Sequence, residues 1–314
     1  MGRYLIKRML SVIPTVFGIS LVVFFMIHLV PGDAVDVLLG TSQTPESAKA
    51  LRTLFGLDQP LHEQYLTWLG RLLQGDFGTS LRTGQTVLHM VWVRFPITLE
   101  LAIAAMFVSL LIAIPAGIVA ALKQNTPIDY SLTVLSFLGL STPSFWLGTL
   151  LIIVFAIVIP VLPPAGFVSL REDPVQNLKS LILPAFTLGT GLAAVVMRMT
   201  RAALLEVIRQ DYIKTARAKG LRERAVVLRH ALKNAFIPVL TTIGLQVGYL
   251  LGGTVIIEQI FSWPGVGRLT LDAVLQRDYP LVQGTVMLFA FGFILVNIVV
   301  DLLYAVLNPQ IHYR

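Results

Sequence analysis

The chain has 314 residues and no cysteine, with a net charge of +7, 55% apolar residues and only 13% charged ones. An ordinary soluble domain carries roughly 25% charged residues, so much of a soluble protein's polar surface is missing. Together with a mean hydropathy of +0.78, this excludes a disordered polar chain, a disulfide framework and a thiolate metal site, and it argues against a soluble enzyme.

A helix needs about 20 apolar residues to cross a hydrocarbon core of about 30 Å. Six runs meet that length: 9–30, 97–122, 132–159, 181–199, 236–257 and 284–307. The first lacks a small-residue cleavage site before the polar region begins, so it is expected to stay as a span. Pro115 and Gly117 lie inside the second, where neighbouring helices and hydroxyls can satisfy the freed carbonyls. The expectation is an all-α, polytopic membrane protein with six transmembrane helices. With the N-terminus inside, the inner segments hold 15 basic and four acidic residues, the outer ones nine and twelve. Lysine and arginine favour cytoplasmic loops, so both termini are expected in the cytoplasm.

The segment 31–96 is expected outside. Thr44 and Pro45 start a helix that Gly56 stops, and a second runs over 61–74 to Gly75. A third, 87–95, carries Val87, Leu88, Val91, Trp92 and Phe95 on one face in an interfacial pattern, with Pro96 expected to break it. The chain thus divides into 1–95, one span plus an outer helical region, and 96–314, a five-span core. In the fifth span Gly244, Gly248 and Gly252 form a small-residue stripe that serves packing within the chain or a subunit interface.

The loop 198–235 carries ten basic residues. With no aromatic interleaving or nucleic-acid fold signature, it reads as a positive-inside loop and not as a nucleic-acid site. Within it, Asp211-Tyr212-Ile213-Lys214-Thr215-Ala216-Arg217-Ala218-Lys219-Gly220 reads as a short helix, with Asp211 as N-cap and Gly220 as the residue just past its end. A second helix from about Arg222 leads through Leu228, Leu232 and Phe236 into the fifth span. Two short helices joined at a glycine form a knob. Its small apolar centre (Ala216, Ala218, Leu221) and basic skirt fit a groove on a partner protein.

This loop resembles the Glu-Ala-Ala loop of permease subunits in binding-protein-dependent ABC importers. Gly220, Ala216 and Leu232 match the family pattern, whereas Lys214, Thr215, His230 and Lys233 stand where glutamate, alanine, isoleucine and proline are usual. The decapeptide is similar to that of the dipeptide, oligopeptide and nickel branch. So are Pro31-Gly32-Asp33, Gly56-Leu57-Asp58-Gln59-Pro60-Leu61, Gly75-Asp76-Phe77-Gly78, Ser141-Thr142-Pro143-Ser144-Phe145-Trp146-Leu147-Gly148, Phe261-Ser262-Trp263-Pro264-Gly265-Val266-Gly267, Arg277-Asp278-Tyr279-Pro280 and Asn297-Ile298-Val299-Val300-Asp301.

The resemblance implies an ABC type I importer permease fold in a bacterial or archaeal cytoplasmic membrane. It implies the first permease of a heterodimeric pair, two ABC ATPase subunits that bind ATP and Mg, an extracytoplasmic solute-binding protein, and membrane lipid around the spans. Short peptides are the expected cargo; nickel chelates, glutathione and oligosaccharides are alternatives. Asp211, Tyr212, Thr215, Ala216, Ala218, Gly220 and Leu221 would couple to the ATPases.

The chain has no phosphate loop of the form G-x-x-x-x-G-K-[ST], so ATP energy is expected to arrive from a partner at the knob. No H-E-x-x-H or G-x-S-x-G motif is present, and His28, His62, His89, His230 and His312 are scattered, so no catalytic or metal residue is assigned. An integral-membrane enzyme and a secondary transporter are the rivals. Against the latter, Asp301 is the intramembrane charge that would have to carry ion coupling, and it lies four residues from Asn297, which suits a structural bond better. Polar residues within spans, Ser141, Thr142, Ser144 and Gln246, are candidates for the translocation path. The last outer loop places Phe261 and Trp263 beside Pro264 on a turn. They are expected to be exposed, either as interfacial anchors or as contacts for the binding protein.

Overall fold

A computed structural model of the chain describes residues 2–28, 44–54 and 56–307, with positions 35 and 39. The segment 31–33, Arg314 and the side chains of Arg3, Lys7, Arg8 and Asp301 lie outside the described residues. What is described is helical apart from loops and one isolated bridge between Thr79 and Thr86. The chain forms two compact units, one from Met1–Ile97 with Pro264–Ile294, the other from Thr98–Trp263 with Leu295–His312.

In the first unit, α1 (Gly2–His28) is followed by α2 (Pro45–Leu54) and α3 (Leu61–Leu73). The expected stops hold. Gly75 takes φ +82°, and the N–H of Asp76 reaches back to the Arg71 carbonyl at 3.0 Å, closing α3 with a left-handed turn. Tyr65 of α3 is buried against Phe24 and Trp68, and its hydroxyl meets Ser20 Oγ of α1 at 2.8 Å. The start of α4 (Val87–Leu122), α11 (Val266–Leu275) and the start of α12 (Tyr279–Leu307) share a second apolar cluster around Val87, Val91, Leu269 and Leu281.

Pro96 does not end a helix as expected. α4 runs through it for 36 residues. Packing of Val87, Met90 and Val91 into the cluster outweighs the hydrogen bond that proline removes. Val87 and Val91 therefore face inward while Leu88 and Trp92 face outward, so the five apolar residues do not form one interfacial face.

In the second unit, α7 (Pro174–Ile208) is the central helix. Asp173 caps it, accepting from the N–H groups of Val175 and Gln176 at 3.0 Å, with Pro174 at the first position. Small residues bring helices close. A Cβ on Gly117 of α4 would stand 2.7 Å from Thr200 Cβ, and one on Gly189 of α7 2.8 Å from the Ala105 carbonyl oxygen. α9 (Leu232–Gly253) approaches α12 in the same way, with Gly244 against Val300, so packing within the chain accounts for this glycine of the stripe.

The expected third span is not one straight helix. α5 (Pro127–Ser141) and α6 (Ser144–Ile152, continued by a π-helical turn at Ile153–Val158) bend by 99° at Thr142 and Pro143. Pro143 lacks an N–H and drives Thr142 to extended backbone (φ −78°, ψ 119°). By length and composition, α4, α7 and residues 279–300 of α12 can cross a membrane, and the bent pair makes a fourth candidate. α1 holds a shorter apolar stretch, Leu10–Met26. The expected fifth span falls on α9 and α10 (Val255–Ile260).

Candidate functional site

α7 has 35 residues, about 52 Å at 1.5 Å per residue, against a hydrocarbon core of about 30 Å. Its far end therefore overshoots the core and provides a floor for α8 (Asp211–Ala218). Ile213 and Ala216, three residues apart, share one face of α8 and pack with Leu204, Val226, Val227 and Ala231. Ala216 is thus part of this core and not of an outward apolar centre. The outward face carries Tyr212, Thr215 and Ala218, followed by Leu221 and the exposed cations Lys219, Arg222 and Arg224.

Asp211 is not the N-cap. Gln210 holds that position, its carbonyl accepting from Ile213 N–H at 3.1 Å, and Asp211 begins the helix. Its carboxylate accepts from Lys214 Nζ at 2.8 Å, which holds it below the usual aspartate range. The negative charge still lies at the positive helix end. Thr215 Oγ1 donates to the Asp211 carbonyl at 3.0 Å, and Asn234 Nδ2 donates to the Tyr212 hydroxyl at 2.7 Å, tying α8 to α9.

Gly220 takes φ +75°, and a Cβ there would meet nothing within 4 Å. The need for glycine is thus one of backbone conformation alone, at about 1–2 kcal/mol for an L residue. Across this turn Arg217 grips Glu223 with two bonds, of 2.6 and 3.0 Å. The paired guanidinium holds Glu223 below the usual glutamate range, and the carboxylate raises Arg217. The result is a short helix fixed at its base, with a pinned turn and a basic rim. It suits mechanical docking. Among the described residues no group of three or more His, Asp or Glu could hold a metal ion.

The outer-loop expectation needs correction. Phe261 and Trp263 are buried, at 1% and 0% exposure. After α10, Ser262 adopts φ +51° and Trp263 N–H bonds to the Glu258 carbonyl at 2.7 Å. That turn folds the chain back and carries Trp263 edge-on against Phe167, with ring centroids 4.8 Å apart. Phe261 packs on Gly148, and its carbonyl accepts from Gly166 N–H at 2.8 Å. Ser262 is the exposed residue of the turn, and Pro264 is half-buried. Of the path candidates, Ser141, Thr142 and Ser144 gather at the α5–α6 bend, and Thr142 Oγ1 donates to the Leu138 carbonyl at 2.7 Å. Gln246 is half-buried on α9.

Sequence reasoning missed one arrangement. The buried Asp129 at the start of α5 and the half-buried Arg201 near the end of α7 form a two-pronged ion pair. They are 72 positions apart, and the only local signal was a charge at the edge of each apolar run.

The pattern of the family described as "Binding-protein-dependent transport system inner membrane component" matches residues 113–313, and that of the N-terminal part of such membrane components matches 1–102. The di/tripeptide transport system permease protein DppB of Pseudomonas aeruginosa (strain UCBPP-PA14) is 44% identical, and the alignment covers all of both chains. The glutathione transport system permease protein GsiC of Escherichia coli (strain K12) is 43% identical, again over the whole of both. A chain of an inward-facing structure of the MetNI methionine ABC transporter shares the fold, with a TM-score of 0.59 at 16% identity. That likeness covers 70% of this chain and 96% of the other.

Proposed function

The chain belongs to the family of binding-protein-dependent transport system inner membrane components, and on that premise we propose that it is a non-catalytic permease subunit of an ATP-driven importer of short peptides. It forms half of a translocation pore with a homologous permease. Six transmembrane helices place both termini in the cytoplasm of a bacterial or archaeal cell, with α8 on the same side as the coupling element. Two ATPase subunits, which bind ATP and Mg, grip α8 through Tyr212, Thr215, Ala218 and Leu221. Their closure switches the pore from inward- to outward-facing. A solute-binding protein delivers cargo at the outer face, and the Ser262–Pro264 turn lies within the region it meets. Ser141, Thr142, Ser144 and Gln246 line the path.

The observation that carries this reading is the pinned knob of α8 and Gly220 on the overshooting end of α7. An element of that kind fits a groove on a partner that supplies the energy. The peptide cargo rests on full-length similarity to a di/tripeptide permease. Glutathione, itself a tripeptide, is the second reading, favoured by similarity to glutathione permeases. Uptake of labelled dipeptide and of glutathione by the reconstituted transporter with its binding protein tests both. Peptide uptake that stops with vanadate and survives an uncoupler is the expected result. Uptake abolished by the uncoupler alone would make the protein a secondary transporter.

A further inference from the structure

We propose that Asp129 and Arg201 form a strut that makes α5, α7 and α8 move as one body, so that motion delivered to α8 reaches the bend at Thr142 and Pro143. This rests on the reading of α8 as the ATPase-coupling element.

Arg201 Nε donates to Asp129 Oδ1 at 2.6 Å and its terminal nitrogen donates to Oδ2 at 2.7 Å. Two parallel bonds between planar groups fix relative orientation as well as distance. The carboxylate is 1% exposed and also accepts from Asn125 N–H at 3.0 Å. Asn125 sits at φ +61°, an uncommon conformation for a residue with a side chain, so the loop between α4 and α5 is drawn into shape around the same carboxylate. Thr133 Oγ1 reaches Oδ1 from the next turn of α5 at 3.5 Å. Parting α5 from α7 would strand this carboxylate without its cation in an apolar setting, so the two helices separate only with great difficulty.

The same end of α7 carries Ala203 and Leu204, which pack in one cluster with Ile213 and Ala216 of α8 and with Ala120 and Ala121 of α4. An apolar joint thus links α8 to α7, and an ionic joint links α7 to α5. The other end of α5 is Ser141, where the chain turns by 99° into α6. A break in the helical ladder is where a few backbone angles can absorb rotation. Displacement of α8 is therefore delivered along α5 to a hinge that carries Ser141, Thr142 and Ser144. An ion pair with one buried partner adds little stability over apolar residues of equal volume; what this one adds is directional stiffness. Asp129 and Arg201 are positioning residues, remote from cargo and ATP.

The chain has no cysteine, so the double variant D129C/R201C carries two unique thiols. In a complete transporter whose other subunits lack reactive thiols, transport per ATP hydrolysed should fall at least fivefold in this variant. It should recover to at least half the wild-type ratio once a short bifunctional thiol reagent joins the two positions. Arg201→Lys, which keeps the charge and loses the two-pronged geometry, should fall between. A cross-link that arrests transport would overturn the strut, because the pair would then have to open in each cycle. A wild-type ratio in Arg201→Lys or in the unlinked double variant would also overturn it. If the double variant fails to assemble, Arg201→Lys alone decides. Gly220→Val measured alongside separates the premise from the strut. A wild-type ratio there removes the coupling role of α8 and the strut with it. Impaired Gly220→Val with unimpaired strut variants removes the strut alone.

Discussion

Ala216 and Ala218 are two positions apart and face opposite ways. One packs on Ile213, Leu204 and Val227, the other on solvent. The sequence shows both as small residues in a basic helix, and only docking on α7 tells them apart. An aspartate at the two sites should therefore fail differently. Ala216→Asp leaves a charge without a partner in the core, at about 3–5 kcal/mol, and folded protein should be lost from detergent extracts. Ala218→Asp should insert and fold normally and weaken ATPase association, as read by co-purification. Equal yields of folded protein for the two would contradict the inward placement of Ala216. The Arg217–Glu223 pair across the Gly220 turn predicts a pH dependence. Glu223 titrates below its ordinary value in the folded loop, so the pair's contribution is fully present above the ordinary glutamate range. It is lost as pH falls through the lowered value. Both groups are partly exposed, so the contribution is about 0.5 kcal/mol. Amide protection in residues 217–225 should be level from pH 8 to pH 5. Glu223→Gln should lower it at every pH in that window; an effect growing only as pH rises would contradict the assignment.

Helices extend beyond the apolar runs that announce them. Hydropathy marked 97–122 and 181–199, yet the helices are Val87–Leu122 and Pro174–Ile208, because backbone hydrogen bonding continues until a cap or a left-handed residue stops it. The stops at Gly56, Gly75 and Gly220 were legible for that reason: each takes positive φ. Pro96 and Pro143 look alike in sequence and act differently. The first lies in a helix held on one side by Val87 and Val91, and the second lies between two segments that turn away from each other. What differs between them is the packing of the flanking segments, which the proline itself does not show. The turn after α10 misled for a related reason. Ser262 stands where glycine is usual, so the left-handed turn that folds Trp263 into the core left no mark in the sequence. Trp263→Ala should open a cavity and cost about 3–5 kcal/mol. The thermal midpoint in detergent should fall, while stimulation of ATPase activity by the binding protein stays normal per assembled complex. An unchanged midpoint with lost stimulation would return Trp263 to the docking surface.

The lengthwise pattern of α4 is apolar on the outward face and small-residued on the inward one. On α4, Ile103, Phe107 and Leu111 are exposed, whereas Ala102, Ala105, Ser109 and Ala113 are buried. Lipid rather than water is the solvent that such a surface suits. Composition alone announced the class, and the basic loop 198–235 sets which side is expected inside. The association of 264–294 with the N-terminal residues was not legible, since it joins segments from opposite ends of the chain. The proposed topology predicts that reporter fusions at Gln74 and Ser262 are extracytoplasmic and those at Gln124, Arg222 and Arg314 cytoplasmic. A cytoplasmic signal at Gln74 would overturn the six-span arrangement.

On the proposed function energy enters this chain through the α8 knob, and Gly220→Val bears on that point without disturbing the core. The site has room for a side chain but a backbone conformation that a β-branched residue avoids, so the variant changes the turn and crowds nothing. ATP-driven peptide uptake per inserted permease should be measured in proteoliposomes containing the partner permease, ATPases and binding protein. At least a tenfold loss with normal membrane insertion is expected, seen either as lost ATPase docking or as ATP hydrolysis that no longer moves cargo. Wild-type uptake by a correctly inserted Gly220→Val protein would contradict it.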